Sequence, residues 1–117
     1  MSDPVPPEIE ALLKEHRSFP PSDAFRAQAT VSAAAALALG HLAPDWCADV
    51  VHAHDWQAGL LPAFLSLHTR RPRTVFTIHN LAHMGIFDRQ TFDRLGLPEY
   101  FWQEQGLEYY GQCSFIK

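Results

Sequence analysis

The sequence predicts an α/β domain of the doubly wound, parallel-sheet type. Two short β-type runs, 50–54 and 74–79, flank a helical segment. About 20 residues separate the strand ends, enough for a right-handed parallel crossover. Both runs stop abruptly in polar residues, the first at His54-Asp55-Trp56 and the second at His79-Asn80. In an open parallel sheet, ligands sit at the carboxyl ends of the strands. Two neighbouring strands that end this way point to one site.

The elements follow in order. Residues 1–7 hold three prolines and little to bury, which favours an extended start. Glu8 to Arg17 can form a short helix with Ile9, Leu12 and Leu13 as its apolar stripe, stopped by Pro20 and Pro21. Ser22 or Asp23 then N-caps a longer helix. Its apolar side is read as Phe25, Val31, Ala35, Leu37 and Leu39, and its run of alanines favours helix and close packing. Gly40 and Pro44 end it.

Val50 to His54 is short, apolar and β-branched, the pattern of a strand buried on both faces. Trp56 to Leu67 reads as a helix with Trp56, Leu60, Leu61, Phe64, Leu65 and Leu67 on its apolar side. Pro62 lacks an N–H, which predicts a kink or a late start. Arg70, Arg71 and Arg73 read as a solvated turn into the second strand, Thr74 to His79. A loop from Leu81 to Phe87 hinges at Gly85. Asp88 caps a short helix through Leu95, closed by Gly96, and Pro98 opens a further helical turn with Tyr100, Phe101 and Trp102. Leu107 to Lys117 has strand character. Two strands are too few to complete a doubly wound sheet, so the chain reads as part of a domain.

Composition narrows the function classes. The 117 residues are 47% hydrophobic and 19% charged, ordinary for a soluble globular chain. A net charge of −4 with no basic stripe argues against a nucleic-acid surface. Met1-Ser2-Asp3-Pro4 is no signal sequence, and the longest apolar stretch, Val31 to Leu39, is too short to span a bilayer. The cytoplasm is the expected compartment. Cys47 and Cys113 lie far apart with no CxxC spacing, so both are expected to be small buried hydrophobes.

The chemistry lies at the strand ends. Alternation places His52 and His54 on one face. Local sequence favours Asp55 as a helix N-cap, with a ligand-facing carboxylate as the alternative. His52 reads as a packed core histidine, and His54, nearer the strand end, is open to either role. His79 can donate to a sugar hydroxyl or a carbonyl-like oxygen. Asn80 offers a donor and an acceptor, which suits a polyol, and it also tolerates a tight turn. A rival reading uses His52, His54, Asp55, His79 and His83 as zinc ligands of a metal-dependent hydrolase. A third treats the chain as a non-catalytic carbohydrate-binding or partner-dependent piece, with Trp56, Tyr100, Trp102, Tyr109 and Tyr110 stacking on sugars. Core packing is the competing explanation for those rings.

At these residues the sequence resembles a known family. Asp49-Val50-Val51-His52-Ala53-His54-Asp55-Trp56-Gln57-Ala58-Gly59-Leu60 resembles the bacterial glycogen synthase and starch synthase family. Thr77-Ile78-His79-Asn80-Leu81-Ala82, with Gly85 and Phe87, resembles its next block. Gly106-Leu107-Glu108-Tyr109, Gly111-Gln112 and Ser114-Phe115-Ile116-Lys117 resemble a third. The likeness runs over residues 45–117, loosely over 22–43, and not over 1–21. It implies a partial starch synthase catalytic domain at 22–117, the Rossmann-like N-terminal half of a two-domain GT-B glycosyltransferase.

The resemblance also implies glucose transfer from ADP-glucose to the non-reducing end of an α-1,4-glucan, with retention and with no metal or other cofactor. His79 and Asp55 are then the catalytic candidates, and Asn80, Trp56 and His54 the substrate-binding ones. The expected partners are a nucleotide-sugar donor and a glucan acceptor, with no nucleic acid and no membrane. His83-Met84 departs from the Tyr-Gln usual in the family. The glycine-rich lysine loop and the C-terminal domain, with its diphosphate-binding Arg and Lys, are absent from these residues. The chain is therefore expected to be a fragment, inactive alone, whose missing half comes from a further domain or a companion chain.

Overall fold

The computed structural model describes residues 4–14 and 22–117. The expected stop of the first helix at Pro20 and Pro21 lies outside them. Helix α1, Pro7–Lys14, carries Glu8 and Glu10 in its first turn, where acidic side chains complement the helix dipole. Ile9, read as part of its apolar stripe, is exposed.

Helix α2, Asp23–Ala38, is capped by Ser22, whose side chain accepts from the Phe25 N–H. Its buried face is Ala24, Ala27, Val31, Ala35 and Ala38, a three- and four-residue spacing that keeps one stripe inward. Phe25 and Leu37, expected on that face, are exposed. Each sits one position off the stripe, so helical geometry turns it outward, and the small alanines let α2 pack on α3.

Strand β1, Val50–His54, pairs in parallel with β2, Arg73–Thr77, in the register Val50↔Arg73 to His54↔Thr77. The second strand starts earlier than read because Arg73 N–H donates to Asp49 O. It ends earlier because the last ladder bond is Asp55 N–H to Thr77 O, at 3.0 Å. Beyond it, the His79 N–H is taken by a side chain. The expectation that β1 is buried on both faces is overturned: only Ala53 is buried. The two-stranded sheet is covered on the face of Ala53 and Phe76. The opposite face, with Val50, His52, His54 and Val75, is open. His52 is accordingly an exposed residue.

The segment after β1 begins late, as Pro62 requires. A 3₁₀ turn, Trp56–Ala58, precedes helix α3, Leu60–Ser66. Pro62 falls in the first helical turn, where an N–H has no intrahelical acceptor in any case. Leu60, Leu61 and Leu65 are buried, while Leu67 is exposed. Arg71 closes the helix by donating to the carbonyls of Ser66 and His68, the C-terminal role that suits a cation.

The C-terminal part forms a second, antiparallel sheet of order β3-β5-β4, from β3 (Ile86–Phe87), β4 (Glu108–Tyr109) and β5 (Gln112–Ser114). Tyr110 and Gly111, at φ 48° and 79°, make the two-residue turn between β4 and β5. Between β3 and β4 lie α4, Arg89–Arg94, and a 3₁₀ turn, Glu99–Phe101. Arg89 ties them together with two bonds to Glu99 at 2.6 and 2.7 Å and one to Asp93 at 2.9 Å. Its guanidinium lies over Phe92 and Trp102.

The core joins the alanine stripe of α2, the leucines of α3, and Phe92, Leu97, Leu107, Cys113 and Phe115. Ser114, the buried polar residue, donates its hydroxyl to Met84 O. Cys113 is buried as read, but Cys47 is exposed. No helix among the described residues is long and apolar enough to cross a membrane.

Two predictions follow from this packing. A Cβ at Gly59 would lie 1.8 Å from the Phe115 carbonyl oxygen, so Gly59→Ala should destabilise the chain by about 1–3 kcal/mol. A urea-unfolding midpoint equal to the parent's would contradict this. The second concerns Asp88, whose Oδ1 accepts from the hydroxyl and the N–H of Thr91. Those bonds, the hydroxyl's foremost, hold its carboxyl below the usual value. The resulting stability is fully present above the unfolded-state pKa and is lost as pH falls through the lowered folded value. Unfolding across the acid range should therefore show a flatter decline for Asp88→Asn than for the parent.

Candidate functional site

The two parallel strands end side by side, and a single residue joins them. Asp55 leaves β1 at φ 61°, ψ 179°, a backbone region that non-glycine residues avoid. Its N–H donates to Thr77 O, and its Oδ1 accepts from the His79 N–H at 2.7 Å. The local reading of Asp55 as a helix cap is overturned, since its side chain makes no capping bond to the 3₁₀ turn. The carboxylate satisfies a neighbouring strand end instead. Sequence-local reasoning could not find that partner, 24 residues away.

On the open face of the sheet stand three imidazoles. His52 Nε2 lies 2.7 Å from Thr77 Oγ1. The His52 and His54 rings are tilted together with centroids 4.1 Å apart, as alternation along β1 predicts. The His54 and His79 rings meet edge to edge, 17° from parallel with centroids 5.3 Å apart, and His54 Nδ1 and His79 Nε2 share a hydrogen bond of 3.1 Å. All three residues are exposed.

Around the corner from this column, a shallow cleft of about 280 Å³ is lined by Asp55, Trp56, Gln57, Asn80 and His83. Asn80 Oδ1 accepts from the Ala82 N–H, and His83 N–H donates to Asn80 O. The tight turn and the polyol-facing position are thus compatible readings of the same residue. Trp56 is half-buried. Its ring contacts Phe87 and Phe115, with centroids 5.6 and 6.3 Å away. A Cβ at Gly85, which has φ 63°, would fall 2.7 Å from the indole, so only glycine lets the loop pass so close.

The structure therefore gathers the predicted residues in two adjoining groups. Asp55, Trp56 and Asn80 share the cleft, while His54 and His79 stand on the sheet face beside it. The peptide of His79 links the groups through Asp55. Gln57, which sequence reasoning left out of the site, joins the cleft. Its signal was a polar side chain directly after Asp55-Trp56, at the start of a largely apolar segment. The zinc-hydrolase reading is not supported. Among the described residues no three His, Cys, Asp or Glu side chains are grouped to hold a metal ion. Of the aromatics considered for sugar stacking, Trp102 is packed against Phe92, whereas Tyr100 and Tyr110 are exposed.

Comparison with known proteins gives a consistent result. The starch synthase catalytic domain family matches residues 10–117. The chain is 59% identical over 81 residues to the glycogen synthase of Thioalkalivibrio sulfidiphilus, covering 69% of this chain and 17% of that protein. It is 47% identical over 97 residues to glycogen synthase 1 of Methylococcus capsulatus, covering 83% and 20%. Glycogen synthase 1 of Bradyrhizobium diazoefficiens is 45% identical over 101 residues, covering 86% and 22%. The chain thus spans about a fifth of the length of the curated relatives it matches. With this α/β architecture and these matches, the chain belongs to the starch synthase catalytic domain family of glycosyltransferases.

Proposed function

We propose that this chain supplies the donor-sugar and acceptor side of a retaining glucosyltransferase. The enzyme would move glucose from ADP-glucose to the non-reducing end of an α-1,4-glucan. The observation that carries this reading is the Asp55–His79 junction, which brings two polar strand ends to one place at the cost of a strained backbone. Strain held at a strand end is commonly associated with function.

The chemistry assigns the roles. Glycosyl transfer develops positive character on the sugar and negative charge on the leaving diphosphate. Prepositioned dipoles and charges, rather than a strong base, do most of the work. His79 contacts the donor glucose and helps stabilise the charge that develops. Asp55 fixes the peptide of residue 79 and places a carboxylate at the sugar region. Asn80 and Trp56 position the sugar through amide and ring contacts, and His54 lines the sugar region next to His79. The residues lining the cleft include no Lys or Arg. The diphosphate must therefore be met by cations from outside this cleft, as a second domain or a companion chain would provide.

Two outcomes are expected. The purified 117 residues should transfer no glucose from ADP-glucose to glycogen, and measurable transfer by them alone would refute the half-cleft reading. When the same residues are grafted in place of the matching segment of a relative's glycogen synthase, His79→Ala should lower kcat by about 10²-fold or more. A kcat within about twofold of the graft carrying His79 would remove His79 from the catalytic set.

A further inference from the structure

The imidazoles on the open sheet face form a connected column, His52 bonded to Thr77 and His54 to His79. An N–H···N bond needs one ring nitrogen with a proton and one with a lone pair. The contact between His54 Nδ1 and His79 Nε2 therefore makes the tautomer of each ring depend on the other. Nδ1 of His79 has no hydrogen-bond partner among the described residues. It is the ring nitrogen left for a ligand, and its state as donor or acceptor is fixed once Nε2 is committed.

His54 is itself held in place. Its ring lies against that of His52, and His52 is anchored through Nε2 on the hydroxyl of Thr77. The anchor comes from β2 and the held ring from β1, so the parallel register of the two strands builds the column. These side chains are exposed. Hydrogen bonds between solvated groups add little to stability, so the effect of this arrangement falls on orientation and proton placement.

We propose that His54 is a positioning residue for His79. Its Nδ1 holds the imidazole of residue 79 in one orientation and ties that ring's tautomer to its own, and His52, pinned on Thr77, braces it. His54 would then act on the sugar through His79 rather than by touching it. This inference rests on the reading that His79 meets the donor sugar, and it refines the lining role given to His54.

The test uses the 117-residue chain with ¹⁵N-labelled histidine. Long-range ¹H–¹⁵N spectra report the tautomer of each ring, and a scalar coupling across the hydrogen bond reports the His54–His79 contact. The parent should show that coupling and complementary protonation of the pair, His79 carrying its proton on Nδ1 where His54 Nδ1 donates and on Nε2 where it accepts. His54→Phe, which keeps a flat ring but has no nitrogen, should lose the coupling and average the two tautomers. Absence of the coupling in the parent overturns the proposal, as does an unchanged His79 pattern in His54→Phe. The parent measurement decides the matter even if a variant fails to fold. It also reads the ring pair directly, so its failure is distinct from a failure of the sugar-contact reading, which His79→Ala in the graft addresses.

Discussion

The bond from the His79 amide to the Asp55 carboxylate is the constraint on which the rest of the site depends. Parallel strands slide easily where their ladders end, because the final N–H groups have no regular acceptor. Here the ladder finishes with Asp55 N–H to Thr77 O, and the next free amide is taken by the side chain of the same aspartate. One residue thus clamps both strand ends. The clamp bends the chain sharply out of β1, and that bend delivers Trp56 to the cluster of Phe87 and Phe115. The same clamp fixes the peptide from which the His79 imidazole projects.

Around this clamp the two faces of the small parallel sheet differ in chemistry. One face carries Ala53 and Phe76, which join a single core cluster with the leucines of α3 and the alanine stripe of α2. The other carries Val50 and Val75 at 56% and 48% exposure, with His52 directly across from Val75 and His54 at the end of β1. Parallel strands are usually covered on both sides. The open face therefore combines apolar surface, which water penalises, with imidazoles that water tolerates. The antiparallel sheet is built differently. Its short strands are stitched to the core by Phe115, whose N–H donates to Gly85 O and whose carbonyl packs onto Gly59.

Much of this was legible in the sequence, and the misreadings share a cause. Val50–His54 was readable to the residue, because β-branched apolar runs bounded by polar residues have few alternatives. The caps at Ser22 and Asp88 were readable for the same local reason. The buried stripe of α2 was misassigned because hydrophobicity favours Phe25 and Leu37, whereas close helix packing selects the alanines. The strands β4 and β5 fall within the stretch 107–117 read as strand-like, whereas β3, two residues long inside an expected loop, left no periodic signal. Asp55 was the instructive case. A carboxylate before a helical turn looks like a cap until the fold supplies a better donor from a distant strand.

The two cysteines differ in a way that can be put to use. Cys113 has no exposed surface, and burial pushes its thiol pKa up to about 11, so thiolate is scarce there at neutral pH. Cys47 is exposed on the stretch leading into β1. An alkylating reagent thus meets one responsive sulfur in the native molecule and a second only when the interior opens. The ratio of doubly to singly labelled chains is a built-in clock for how often the core breathes.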